Sequence, residues 1–200
     1  SVSQEIARDK QPMFYCAFLL CLAGLLGMVT SNDVFNIYVF LEIASLSTYT
    51  LIAMGRARQA LTASFQYLVL GTIGATFFLI GIGLLYMVTG TLNLSDLAEK
   101  LNTVGDMRPV HAAFIFIAIG LALKIAMFPL HIWLPNAYAY SPSFISAFLA
   151  ASATKISFYV LARFAFTIFG LDFSFATMPL SIVLILLGVA GILYGSVMAI

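Results

Sequence analysis

Charge is what this sequence has least of: Asp, Glu, Lys and Arg together make up 8% of its 200 residues, against about a quarter in an ordinary soluble domain. A chain so poor in charge cannot cover a water-facing surface, and it has neither the basic face a nucleic-acid binder needs nor the polar composition of a disordered segment. Cysteine is scarce too, with two residues, Cys16 and Cys21. Their spacing turns the side chains apart on a helix, fits no disulfide or zinc pattern and reads as two small buried thiols. The two histidines, His111 and His131, are distant in sequence and lack nearby acidic or Cys ligands, so no metal site is expected. Also missing are a glycine-rich nucleotide fingerprint, a cysteine run for an iron–sulfur cluster and a haem-attachment motif. The formal net charge of +1 points to no particular partner.

What the sequence does have is apolar length: 62% of it is hydrophobic, with a mean hydropathy of +1.08. A helix needs about 20 apolar residues to cross the hydrocarbon core. The gaps between charges predict spans over 13–30, 34–54, 59–89, 110–128, 142–169 and 176–200. No segment alternates as a barrel strand would, which leaves an all-α polytopic membrane protein of about six transmembrane helices, one of them broken. The whole of 1–200 reads as one transmembrane domain. The chain opens on Ser1 without the pattern of a signal peptide and closes at Ile200 inside an apolar run, and it is expected to be a piece of a longer protein.

Arg56 and Arg58 form a basic turn after the second span. The turn at Asp33, the loop carrying Asp96, Glu99 and Asp106, and the turn at Asp172 are acidic or poor in basic residues. Basic short loops stay cytoplasmic, so the first span runs outward from Arg8 and Lys10 and the arginine turn faces the cytoplasm. The third span would be on the order of 45 Å long and should tilt or protrude. Its Gly71 and Ala75 form a small-xxx-small pair suited to close helix packing, and the span reads as scaffold.

Three ionisable residues stand inside apolar runs: Glu42, Lys124 and Lys155. Each costs about 2.5–3.5 kcal/mol at a helix centre unless it meets a partner or a water-filled cavity. Two readings apply: a proton or ion path, or lysines that snorkel to the interface with Glu42 pairing one of them as structural glue. Tyr38, Glu42, Ser45 and Tyr49 fall on one helix face, and Ser152, Lys155, Tyr159 and Arg163 form a similar stripe. Their hydroxyls suit either proton handling or helix–helix hydrogen bonding. Lys124 precedes Phe128-Pro129-Leu130-His131 and Trp133-Leu134-Pro135-Asn136. Pro129 and Pro135 withhold backbone donors from Ile125 and His131, so the helix should break there, as a re-entrant loop, an ordinary end or an ion site. His131 is a proton donor or acceptor near neutral pH, or a loop histidine without function. Ser141-Pro142 reads as an N-cap with Pro at the first helical position.

The stretches Phe35-Asn36-Ile37-Tyr38-Val39-Phe40-Leu41-Glu42, Leu123-Lys124-Ile125-Ala126-Met127-Phe128-Pro129-Leu130-His131-Ile132-Trp133-Leu134-Pro135-Asn136-Ala137, and Ser146 to Arg163 around Ala153-Thr154-Lys155 carry a family resemblance. Together they resemble the proton-antiporter-like membrane subunits shared by respiratory complex I, membrane-bound hydrogenases and Mrp-type sodium/proton antiporters. The resemblance covers nearly the whole chain. It implies that Glu42 and Lys124 form a central pair on neighbouring helices and that Lys155 passes the proton along a hydrated mid-membrane axis. It also implies a full subunit of about fourteen helices, of which these are the fourth to the ninth. The family often has Asp after Trp-Leu-Pro and His or Glu shortly beyond; this chain has Asn136, Tyr138 and Tyr140, a less ionisable loop.

An ionised Glu42 near Lys124 favours the charged amine, and neutralising the glutamate favours release of its proton toward Lys155. Two charges 4 Å apart are worth about 1 kcal/mol in water but about 4 kcal/mol at an effective dielectric of 20. Three functions compete: a proton-translocating subunit of an NADH:quinone oxidoreductase-like complex, a subunit of an Mrp-type sodium/proton antiporter, and a structural membrane subunit. Under the first, flavin, iron–sulfur clusters and quinone belong to partner subunits, and this chain carries no cofactor. The expected partners are other membrane subunits, the lipid bilayer, and protons or sodium, in a plasma (inner) membrane.

Overall fold

The computed structural model describes residues 5–104 and 107–198; Asp106 of the acidic loop lies outside them. Helices dominate: α1 (Gln11–Thr30), α2 (Val34–Ala53), α3 (Gln59–Thr89), α4 (Leu94–Val104), α5 (Arg108–Ile125), α6 (Trp133–Tyr140), α7 (Ser143–Ala151), α8 (Ala153–Arg163) and α9 (Leu180–Met198). Two π-helical turns, Phe164–Ile168 and Asp172–Thr177, follow α8. Among the described residues the only β pairing is a bridge between Asp33 and Asn93. Six helical stretches are long and apolar enough to cross a membrane: Arg8–Thr30, Val34–Ala53, Gln59–Thr89, Arg108–Ile125, Ser143–Ile168 and Leu180–Met198. The protein is an all-α, multi-pass membrane protein.

Local chemistry sets the helix ends. Asp33 caps α2 by accepting from the backbone N–H of Asn36 at 2.8 Å, α5 carries a proline in its first turn, and Gly90 ends α3 in the left-handed conformation at φ 67°. The acidic loop after α3 is instead largely α4, an amphipathic helix whose Leu94, Leu97 and Leu101 are buried. Three leucines at helical spacing outweigh the local charge. The N-cap expected of Ser141 falls on Pro142, and no side chain of that segment caps α7. The cap comes from far away: the Glu5 carboxylate accepts from the Ser143 N–H at 2.8 Å and from its hydroxyl at 2.6 Å. Arg56 Nε in turn donates to the Glu5 carbonyl at 3.0 Å. One end of the bundle is thereby tied through the N-terminal segment, the basic α2–α3 turn and the start of α7. At the other end Arg163 donates to the Ser31 carbonyl at 2.6 Å and to Asn32 Oδ1 at 3.1 Å, clamping the α1–α2 turn to α8.

Helix α3 packs antiparallel to α5, with Gly81 beside Ile117 and Gly74 beside Gly120, and then meets α6 where Gln66 accepts from Asn136. The close backbone approach is not at the expected Gly71 and Ala75 but at Gly74 and Gly120: a Cβ on Gly120 would lie 2.6 Å from the Gly74 carbonyl oxygen and 2.8 Å from the Phe78 nitrogen. Backbone cannot yield as a side chain can. Helices α1 and α2 approach in the same way at Gly24, against the Ala44 nitrogen at 2.7 Å.

Gly120→Ala would gain helix propensity yet force α3 and α5 apart. The expected net loss is about 1–3 kcal/mol, read as a lower melting temperature of the purified full-length protein. Hydrogen bonds from Ser143 hold the Glu5 pKa below the usual glutamate value. The stabilisation is therefore present above that usual value and is lost as pH falls through the lowered one. Faster amide exchange at the start of α7 on acidification, reproduced at neutral pH by Glu5→Gln, is the expected outcome.

Candidate functional site

The site grows out of the break after α5. Ala126 leaves the helix in the left-handed region at φ 59°, and Met127 N–H closes the end on the Ala122 carbonyl at 3.0 Å. Pro129, after a cis peptide, lies within the seven-residue interruption between α5 and α6. Pro135 does not: it stands in the first turn of α6, where no intrahelical donor is required. The His131 carbonyl is likewise not free, because Leu134 N–H donates to it at 2.9 Å. The Trp133 indole reaches back across the break and donates to the Leu123 carbonyl at 3.0 Å. A carbonyl next to Lys124 thus finds a partner inside the protein.

Lys124, in the last turn of α5, is 5% exposed. Its Nζ donates to Ser45 Oγ on α2 at 2.5 Å, and Ser45, 4% exposed, donates in turn to the Leu41 carbonyl one turn back at 2.7 Å. The amine also faces the Tyr67 ring, 5.7 Å from its centroid. Tyr67 meets Tyr49 edge-on at 4.9 Å and stacks on Trp133 at 4.3 Å. Three aromatics from α2, α3 and α6 therefore gather beside one cation. Gly71 leaves the room: a Cβ there would lie 2.4 Å from the Tyr49 hydroxyl oxygen and 3.2 Å from Lys124 Nζ.

Glu42 precedes Ser45 by three residues on the same face of α2. Its Oε1 is buried and accepts no hydrogen bond, and the Tyr49 hydroxyl makes none of good geometry. Lys124 meets Ser45 directly, Glu42 lies one turn before Ser45 on α2, and Glu42 and Lys124 are not in ion-pair contact. Lys155 is placed elsewhere. It is exposed on α8, with its amine donating to the Ala150 carbonyl across the irregular link at Ser152, whose φ is −121° and ψ −55°.

The remaining polar residues divide. Ser152 turns its hydroxyl to the Phe148 carbonyl at 2.6 Å, Tyr159 is 45% exposed, and the Tyr38 ring lies 5.9 Å from that of Phe35. None of the three touches Glu42 or Lys124 through a hydrogen bond. His131 lies in the interruption with Nδ1 buried and unpartnered, its ring 5.5 Å from Phe128 and 5.4 Å from Tyr194 of α9. Asn136 donates to Gln66 of α3 at 2.9 Å. Sequence reasoning placed Tyr49 on the right stripe without giving it a part, and it missed Tyr67 and the role of Gly71. A glycine reads as helix packing, and only the fold shows that this one faces an amine. Among the described residues no group of three or more His, Cys, Asp or Glu side chains is gathered for a metal.

The fold and its relatives define an antiporter-like membrane subunit. The chain belongs to the family described as NADH:quinone oxidoreductase/Mrp antiporter, TM, which matches residues 31–200. It is 48% identical to the NADH-quinone oxidoreductase subunit N of Desulforudis audaxviator (strain MP104C), over 96% of this chain and 38% of that protein. It is 34% identical to a Na(+)/H(+) antiporter subunit of Bacillus subtilis (strain 168), over 96% of this chain and 40% of that protein. Among solved structures it resembles a chain of the membrane-bound sulfane sulfur reductase, an archaeal respiratory membrane complex. That match has a TM-score of 0.75 and 38% identity, covering 80% of this chain and 33% of the other. The chain spans about two fifths of the length of the curated relatives it matches.

Trp133→Phe would remove the donor to the Leu123 carbonyl and shrink the aromatic wall beside Lys124. A loss of about 1–3 kcal/mol is expected, measured as thermal unfolding of the full-length protein.

Proposed function

We propose that the chain is the proton-handling core of a membrane subunit in a respiratory complex related to NADH:quinone oxidoreductase, moving protons by way of Glu42, Lys124 and Lys155. One observation carries the reading: a lysine amine is enclosed between helices with a single side-chain acceptor, and a carboxylate with an unpaired buried oxygen sits one helical turn from that acceptor. A purely structural pair would close into direct contact, because separated buried charges forgo most of their mutual attraction. Charge at Glu42 favours the protonated amine, and its neutralisation or withdrawal favours release. The role of Lys155 as the next acceptor rests on the family resemblance; its amine here meets the Ala150 carbonyl. One subunit supplies no driving energy. Flavin, iron–sulfur clusters and quinone are assigned to partner subunits, in an inner membrane.

The second reading, a subunit of an Mrp-type sodium/proton antiporter without redox chemistry, is favoured by the likeness to the antiporter subunit of Bacillus subtilis along almost the whole chain. The higher identity to the oxidoreductase subunit supports the first reading.

Inverted membrane vesicles containing the full parent complex separate the two. NADH-driven acidification, lowered about 100-fold or more by Glu42→Gln and by Lys124→Ala, is the expected result. Acidification that responds to an imposed sodium gradient and not to NADH would assign the chain to the antiporters. Rates unchanged by both substitutions would make the pair structural.

A further inference from the structure

The relay proposed above leaves a gap: Glu42 and Lys124 do not touch, and the group between them is a serine. We infer that the Ser45 hydroxyl is the exchange point through which the proton moves between Lys124 and Glu42, an inference that rests on the proton-handling reading and adds a residue to it.

The hydrogen bonds are directional. A charged ammonium has only donors, so Ser45 Oγ must accept from Lys124 Nζ, and its own O–H must point elsewhere. It points to the Leu41 carbonyl, at 2.7 Å. This is the arrangement required while Lys124 holds its proton. A neutral amine carries a lone pair, and the hydroxyl is then free to leave the Leu41 carbonyl and donate to nitrogen. The hydroxyl therefore has two orientations that track the proton on the lysine. Leu41 O serves as its resting acceptor, so neither orientation leaves a serine hydrogen unpaired.

The transfer balances. A Lys124 N–H bond breaks as a new bond forms to Ser45 Oγ, and the hydrogen formerly on Oγ passes to a Glu42 carboxylate oxygen. A charged amine and a charged carboxylate become a neutral amine and a neutral acid, with serine unchanged. Glu42 Oε1, three residues back on the same face of α2, is buried and makes no hydrogen bond, to Ser45 included, so the transfer requires the Glu42 side chain to turn toward Ser45 Oγ. No other side-chain hydroxyl bonds to the Lys124 amine among the described residues.

The test uses the full complex in proteoliposomes, with assembly checked by gel filtration. Ser45→Ala keeps the helix and removes the exchange point, and a ten- to hundredfold slower proton flux is expected, the scale of losing about one hydrogen bond to a charged group. Ser45→Thr should restore most of the flux, since this helix already holds a hydroxyl in that geometry at Thr48, which donates to the Ala44 carbonyl at 2.7 Å. An alanine variant at the parental rate, or a loss that threonine does not restore, would overturn the role of the hydroxyl. Glu42→Gln and Lys124→Ala run alongside. If both leave the flux unchanged, the proton-handling reading fails as a whole; if both abolish it while Ser45→Ala does not, the serine inference alone fails.

Discussion

An amine enclosed among apolar helices has to find acceptors or lose its charge, and the arrangement of this protein turns on how Lys124 meets that requirement. Among the described residues its single side-chain acceptor is a hydroxyl on α2, and the face of a tyrosine lies beside it. To bring α2, α3 and α5 that close, glycine must stand where another residue would collide, at Gly71 beside the amine and at Gly74 and Gly120 just beyond. The Met127 N–H, closing the end of α5 on the Ala122 carbonyl, and the indole of Trp133 then satisfy backbone carbonyls that this placement would otherwise leave unpaired.

The two ends of the bundle are secured differently from its middle. Charged and polar groups at the margins, Glu5 with Ser143 and Arg163 with the α1–α2 turn, use the wetter ends, where such contacts carry little desolvation cost. The middle relies on close backbone approach and aromatic contact. Among the described residues, the buried side-chain atoms left without a partner belong to Glu42, Tyr49 and His131, on α2 and in the break after α5. Interiors of this kind normally satisfy their polar atoms, so incomplete satisfaction at these positions marks them out.

Much of this was legible in the sequence because hydropathy and charge act locally. The six apolar stretches, the interruption near Pro129 and the stripe through Glu42 and Ser45 follow from spacing alone. What was not legible depends on which helix faces which. Gly71 carries no chemical signature until Lys124 is seen opposite it, and Tyr67 is one aromatic among many until Trp133 folds back onto it. Lys155 looked equivalent to Lys124 in a one-dimensional pattern of buried charge, yet it sits on the outer face of α8, where its amine meets a carbonyl. Glu5, which stands before the first apolar stretch and carries no pattern in the sequence, caps a helix more than a hundred residues away.

The indole bond from Trp133 to the Leu123 carbonyl does more than satisfy an acceptor. It spans the interruption like a strut, tying the first turn of α6 to the last turn of α5. A gap bridged in this way resists lengthening or shear at the turn that carries Lys124. The indole bond therefore makes the break in the helix a point of attachment for the turn that carries Lys124.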